Sequence, residues 1–273
     1  MTMNISIRQR LTAAKHLQEV FSYVPQPMGL QLDEPLFKTV CTKCHLQYLK
    51  DRGECLTITP QLHPKLYALC QEVQRNLNYN RPIDFLLYNA SYIGASAFYS
   101  PQESQPSIVA IYAGSTMHLI DDELKWLIGH EIGHIINHDT ELRCLYDIYC
   151  NKLKEILSVS TTHTMHLYDL LCELEADRYG LLACGSEVMA MSAIAKLMSG
   201  WVLEQFDLSS FLQTNHDLAE LYIKEGLCIG EHHPIYPFRV EALHLYANAT
   251  SERELQKQLK PIISAIEYFA KHS

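Results

Sequence analysis

Residues 128–140, reading IGHEIGHIINHDT, constrain this chain more than any other stretch, because His130, Glu131 and His134 are useful together only on a helix. Helical positions i and i+4 differ by about 40° in azimuth, so the two imidazoles can point at one metal ion. Glu131 lies between them, within reach of a water on that ion. The same helix must accept Gly129 and Gly133, each costing about 1 kcal/mol relative to Ala in a helix interior. Such a pair asks for the close approach of a neighbouring strand or helix.

The 273 residues, 48% apolar and 19% charged, describe a folded protein with one large domain or two modest ones. A net charge of −9 without a run of Lys or Arg speaks against nucleic acid as a partner. Nowhere do 18 apolar residues run together, and the N-terminus lacks the apolar core of a signal peptide. Ile7, Leu11, Ala14, Leu17 and Phe21 suit a first core-facing helix better than a presequence. Nine cysteines without a disulfide-like framework fit a reducing cytoplasm.

After a Pro- and Gly-rich connector over residues 24–35, Cys41, Cys44 and His45 spell CxxCH. Haem attachment would need export, which this N-terminus does not support. A zinc half-site completed by Cys55, His63 or Cys70 is a second reading, and idle reduced cysteines are the leading one. Leu66, Leu69, Val73 and Leu77 give residues 64–77 a helical pattern. Residues 83–89 read as a strand, and ASAFYS and SIVAIYA as two more around a proline-containing hairpin loop at 100–107. Asp121, Asp122 and Glu123 open the central helix, with Asp121 its candidate cap. Beyond it the periodicity is almost wholly helical, over roughly 143–159, 166–182, 186–198, 217–225, 237–247 and 251–272. The expected class is α+β and predominantly helical, with a small antiparallel sheet before the central helix.

Catalytic zinc usually takes three protein ligands and leaves a position for water. A His six residues after His134, following a Gly at position three, would mark one class, but Thr140 and Asn137 stand there. His138 drifts further round the helix and reads more readily as a helix-end histidine than as a ligand. Downstream, CELEADRYG sets Glu173 and Asp177 on one helical face with Glu175 turned away. A glutamate ligand with an aspartate one turn later to hold a ligand histidine is a coherent arrangement. Acids on a helix ordinarily face water, and ExxxD alone does not decide between the two. Cys172, about 100° round the helix from Glu173, reads as packing.

Three motifs in order, HEIGH at 130–134, ELEAD at 173–177 and HPIYPFR at 233–239, resemble those of the gluzincin metallopeptidases of family forty-eight. That family includes HtpX and the type I CaaX prenyl protease. NASYIGASA at 89–97 and IYAG at 111–114 resemble its sheet segments more loosely, and the similarity spans about residues 80–245. The resemblance implies a zincin-like catalytic domain with one zinc ion per chain. It implies His130, His134 and Glu173 as ligands and Glu131 as general base. It further implies that Asp177 orients a ligand histidine and that His233 and Arg239 either sit near the substrate oxyanion or hold the site together. HtpX and the CaaX protease carry membrane helices, whereas this sequence reads as a member without them, so prenylated-protein processing in a membrane chamber is not expected.

The expectation is a cytoplasmic zinc endopeptidase occupying residues 79–273, with residues 1–78 as a helical, regulatory extension. An extended protein or peptide substrate is expected to add to the edge of the strand that ends near Gly114. The competing expectation is a latent or inactive metal-stabilised interaction protein whose cleft is covered by the N-terminal segment.

Overall fold

The computed structural model describes residues 34–100, 105–139, 143, 159–200, 205–227 and 233–272. In chain order the elements are α1 (Glu34–Glu54), β1 (Leu56–Thr57), α2 (Pro64–Asn76), β2 (Ile83–Tyr88), β3 (Ala95–Phe98), β4 (Ser107–Tyr112), α3 (Ala113–His118) and α4 (Asp121–Ile136). Then follow α5 (Val159–Cys184), α6 (Glu187–Ser199), α7 (Leu208–Glu225), α8 (Tyr236–Asn248) and α9 (Glu252–His272). The N-terminal helix expected around Ile7–Phe21 and most of the helix expected over 143–159 lie outside the described residues.

The sheet has the order β1-β2-β4-β3 and is mixed rather than antiparallel. β1 runs antiparallel to β2 and β3 antiparallel to β4, but β2 and β4 pair in parallel from Ile83↔Ser107 to Tyr88↔Tyr112. The chain ascends β2, crosses the end of the sheet through residues 89–94, descends β3 and returns along β4 between the other two. The central place of β4 explains why five of its six residues are buried, in a continuous apolar run rather than an alternation. Both edges of β4 are therefore occupied, so an extended substrate cannot add to it. Among the described residues, the free edge on that side belongs to β3.

Alternation along the strands divides the sheet's faces. Ile83, Phe85, Val109 and Ile111 join the main core with α2, α4 and α5. Leu86, Ile108 and Ala110 form a second cluster, packed against Tyr48 and Cys55. Asp84 binds α1 on that side, accepting from Tyr48 Oη at 2.9 Å and from Arg52 Nη1 at 2.8 Å. Cys41 and Cys44 are buried in α1, and His45 Nδ1 meets Gln105 Oε1 at 2.8 Å. Among the described residues no metal-sized cluster includes them.

Helix α4 begins after Ile120, not at a capping Asp121. The isoleucine side chain offers no acceptor, so Glu123 at the third helical position reaches back to the Ile120 N–H at 2.9 Å. Glu123 also binds Lys196 Nζ and Ser192 Oγ, both at 2.6 Å, which ties the start of α4 to α6.

The glycines answer to a neighbouring helix. A Cβ on Gly129 would stand 2.4 Å from Ala183 Cβ, one on Gly133 2.9 Å from Tyr179, and one on Gly180 2.7 Å from Trp126. These three positions let α4 and α5 cross at near-backbone contact. Gly129→Ala gains about 1 kcal/mol of helix propensity, but it forces a methyl into that crossing. Chemical denaturation is expected to show a net loss of about 1–3 kcal/mol from overpacking; a net gain would show that the crossing is not tight.

Candidate metal centre

The α4–α5 crossing brings His130, His134 and Glu173 together, each with a ligating atom within 4.8 Å of the others and all three buried. The Nε2 atoms of His130 and His134 are 3.1 Å apart. His130 Nε2 lies 3.4 Å from Glu173 Oε2, and His134 Nε2 lies 3.5 Å from Glu173 Oε1. The Nδ1 atoms face away from this point, each onto a carboxylate. His130 Nδ1 meets Asp177 Oδ1 at 2.9 Å and His134 Nδ1 meets Asp139 Oδ2 at 2.8 Å. Those partners accept the Nδ1 proton of each ring, which turns each Nε2 toward the common centre, where it can offer a lone pair to a metal ion.

Two lone pairs and a carboxylate converging in a buried space repel one another unless a cation joins them. Among the described residues Glu173 Oε2 has no hydrogen-bond partner, an omission that costs a buried oxygen dearly. Burial lowers the basicity of His130, but Asp177 and Glu173 outweigh it and push its pKa up to about 10. Burial disfavours the charged form of Glu173, yet the attraction of both histidines holds its carboxyl well below the usual range. The site thus favours positive charge at its centre. Two imidazole nitrogens and one carboxylate suit zinc.

A second grouping, His134, Asp139 and Cys172, is less apt. Burial pushes the Cys172 thiol well above its ordinary pKa, and its Sγ donates to the Asp169 carbonyl at 3.1 Å, so the sulfur is already engaged with backbone. Cys172 packs, as its azimuth suggests.

Glu131 follows His130 on α4 and is 6% exposed. Burial raises its pKa against the lowering influence of the two histidines, in the direction a general base at neutral pH needs. Asp177 accepts from Arg239 Nε at 2.8 Å and Nη2 at 2.6 Å, a two-pronged clamp on the carboxylate behind His130. Arg239 is buried and committed to that clamp, so it holds Asp177 rather than facing the centre. His233 is exposed, its Nε2 3.7 Å from Glu173 Oε2. His138 is outside the cluster; its ring stacks on Tyr99 at 4.1 Å.

Three contributors escaped the sequence reading. Asp139 supports His134, and the Tyr168 hydroxyl donates to the other oxygen of Asp139. Arg143 binds Asp169 at 2.7 Å and comes within 3.7 Å of Glu173 Oε1. Asp139 reaches His134 because α4 ends at Asn137 and His138 takes φ +60°, a turn that the residue types there do not announce.

The sequence profile of peptidase family M48 matches residues 60–247, a span that contains every residue of this site. Three curated proteins, each described as a protease HtpX homolog, share 77-residue stretches with the chain. Identity is 35% with the protein from Nostoc punctiforme, 34% with that from a Nostoc species and 32% with that from Trichormus variabilis. Each stretch covers 28% of this chain and 26% of the relative, so the chain spans about a quarter of the length of the relatives it matches.

If Asp139 fixes the ring of His134, Asp139→Asn should weaken zinc binding by about 10–100-fold in competition with a chelator. Unchanged affinity would show that this contact does not orient the ligand.

Proposed function

The chain belongs to peptidase family M48, and from that premise we propose that it is a cytoplasmic zinc-dependent endopeptidase acting on protein or peptide substrates. One zinc ion per chain is held by His130, His134 and Glu173. The observation that carries this reading is the convergence of those three ligating atoms beside the buried Glu131. Bound zinc supplies Lewis acidity, lowering the pKa of a water from about 15.7 to about 7 and polarising a carbonyl.

The chain's own groups supply the proton transfers and the geometry. The Glu131 carboxylate takes a proton from the attacking water and returns it to the leaving amide nitrogen. Burial raises its pKa, which strengthens the carboxylate as proton acceptor in the first half of that exchange. His233 stands on the open side of Glu173, where its imidazole N–H can donate to the oxyanion that forms at the carbonyl. Asp177 and Asp139 hold the two histidines, and Arg239 holds Asp177. An extended substrate adds to the free edge of β3, the strand that packs beside α4. The catalytic unit covers residues 79–273 with residues 1–78 as an extension; α2 nevertheless contributes Leu69, Cys70 and Val73 to the core that also carries α4.

A cytoplasmic setting is supported by the thiols of Cys41, Cys55, Cys70, Cys172 and Cys184, none of which is in a disulfide among the described residues. Among the described residues no helix is long and apolar enough to cross a membrane. The latent-protein alternative has no supporting contact among the described residues. Cys41 and Cys44 belong to α1, which covers the sheet face opposite the α4 side.

Glu131→Gln is expected to keep zinc while lowering peptide hydrolysis by at least about 10²–10⁴-fold. Zinc content by mass spectrometry and a fluorogenic peptide assay check both parts. A Gln variant hydrolysing at the parent rate would remove Glu131 from the reaction.

A further inference from the structure

The turn that brings Asp139 back to His134 passes through an unfavourable backbone conformation. Asn137 closes α4, its N–H donating to the Gly133 carbonyl at 3.0 Å, and the His138 N–H donates to the Ile135 carbonyl at 3.2 Å. His138 then takes φ +60°. Left-handed backbone sets a Cβ against the following carbonyl oxygen, so glycine alone enters it without steric cost. The chain uses glycine for this conformation directly after α5, α6 and α7, with Gly185 at φ +68° and Gly200 and Gly226 at +64°. After α4 the same conformation falls to a histidine.

What the histidine gains is a partner. Its ring stacks on Tyr99, with centroids 4.1 Å apart and planes within 20°, although the residue as a whole is exposed. A stack of this kind stabilises beyond the area it buries. Tyr99 is 5% exposed and belongs to the main core that also holds α4. It rests on a fixed support. Arg81 donates through Nη1 to the Tyr99 hydroxyl at 2.9 Å and through Nη2 to the Ser100 carbonyl at 3.0 Å. The Arg81 carbonyl in turn accepts from Gln74 Nε2 of α2 at 2.8 Å, and the Ser100 N–H donates to Ser107 Oγ of β4 at 3.1 Å. On the far side of His138, Asp139 is buried against His134 Nδ1 at 2.8 Å and accepts from the Tyr168 hydroxyl. Three successive residues thus close the helix, grip the end of a strand and support a ligand.

We propose that Tyr99 and His138 are positioning residues for the metal ligand His134: their stack holds the left-handed turn that sets Asp139 behind the imidazole. Tyr99 directly follows β3, so the strand with the free edge also steadies one ligand. The inference rests on the zinc-peptidase reading and adds residues that neither bind the metal nor touch the reacting atoms.

The test measures the zinc affinity of the full chain in competition with a chelator. His138→Ala loses the ring but keeps a Cβ in the left-handed turn. It is expected to bind zinc about tenfold more weakly, within the range produced by losing a carboxylate behind a ligand histidine. His138→Gly also loses the ring but enters the turn freely, and is expected to bind close to the parent affinity. In an Asp139→Asn background, His138→Ala should add no further loss, because it acts through Asp139. Tyr99→Phe keeps the stack and should match the parent, whereas Tyr99→Leu should resemble His138→Ala. If Tyr99→Leu does not fold, the exposed His138 variants decide the matter. Unchanged affinity in His138→Ala overturns the proposal. Equal losses in His138→Ala and His138→Gly also overturn it, by giving the ring a direct part in metal binding. A parent that binds no zinc removes the zinc reading instead. Crystal structures of the metal-free variants then judge the brace: Asp139 displaced from His134 in His138→Ala but in contact with it in His138→Gly upholds it, and any other pairing overturns it.

Discussion

The near-backbone crossing of α4 and α5 is the contact on which the rest of this structure depends. His130 and His134 lie on one helix and Glu173 on the other, so their separation is set by how closely the two axes approach. Gly129, Gly133 and Gly180 remove the side chains that would hold the helices apart, leaving Ala183, Tyr179 and Trp126 against bare backbone. The cost is about 1 kcal/mol of helix propensity per glycine. It is offset by a core in which Trp126, Ile128, Ile132 and Ile135 of α4 are wholly enclosed. The Glu123–Lys196 ion pair and the Glu123 bond to the backbone of Ile120 fix the other end of α4.

Around that crossing the charges are arranged in two opposed layers. The inner layer is basic lone pairs and one carboxylate; the outer layer is a carboxylate behind each imidazole. Each outer carboxylate has its own anchor, Arg239 for Asp177 and Tyr168 for Asp139. Buried carboxylates on their own would take up protons. The clamp by Arg239 outweighs the desolvation of Asp177 and keeps it ionised, which in turn holds the Nδ1 proton of His130 in place. The orientation of the two imidazoles is therefore a property of a network drawn from α4, α5 and α8, and single substitutions within it should not act additively.

Much of this was legible in the sequence because it obeys helical arithmetic. His130 with His134, and Glu173 with Asp177, are i,i+4 pairs, and the glycine pair announced a close neighbour. Asp139 disobeys the same arithmetic: five residues beyond His134 on a continuous helix, it would lie about 140° away. It returns to the histidine only because α4 stops at Asn137 and His138 takes a left-handed conformation, which the composition of that turn does not compel. Tyr168 was invisible for the related reason that its partner was. The sheet's mixed topology was hidden because parallel and antiparallel strands share one side-chain period; only the unbroken apolar run of β4 hinted that it is central. The capping role passed from Asp121 to Glu123 because Ile120 occupies the cap and the acid three residues on reaches its N–H.

The central claim is that this crossing assembles a three-ligand zinc site. Anomalous diffraction at the zinc edge from crystals of the zinc-loaded chain tests it most directly. The account predicts one peak per chain, bound by Nε2 of His130, Nε2 of His134 and the carboxylate of Glu173 at about 2.0–2.2 Å. A peak held instead by Asp139 and Cys172, or no peak at the α4–α5 crossing, would contradict it.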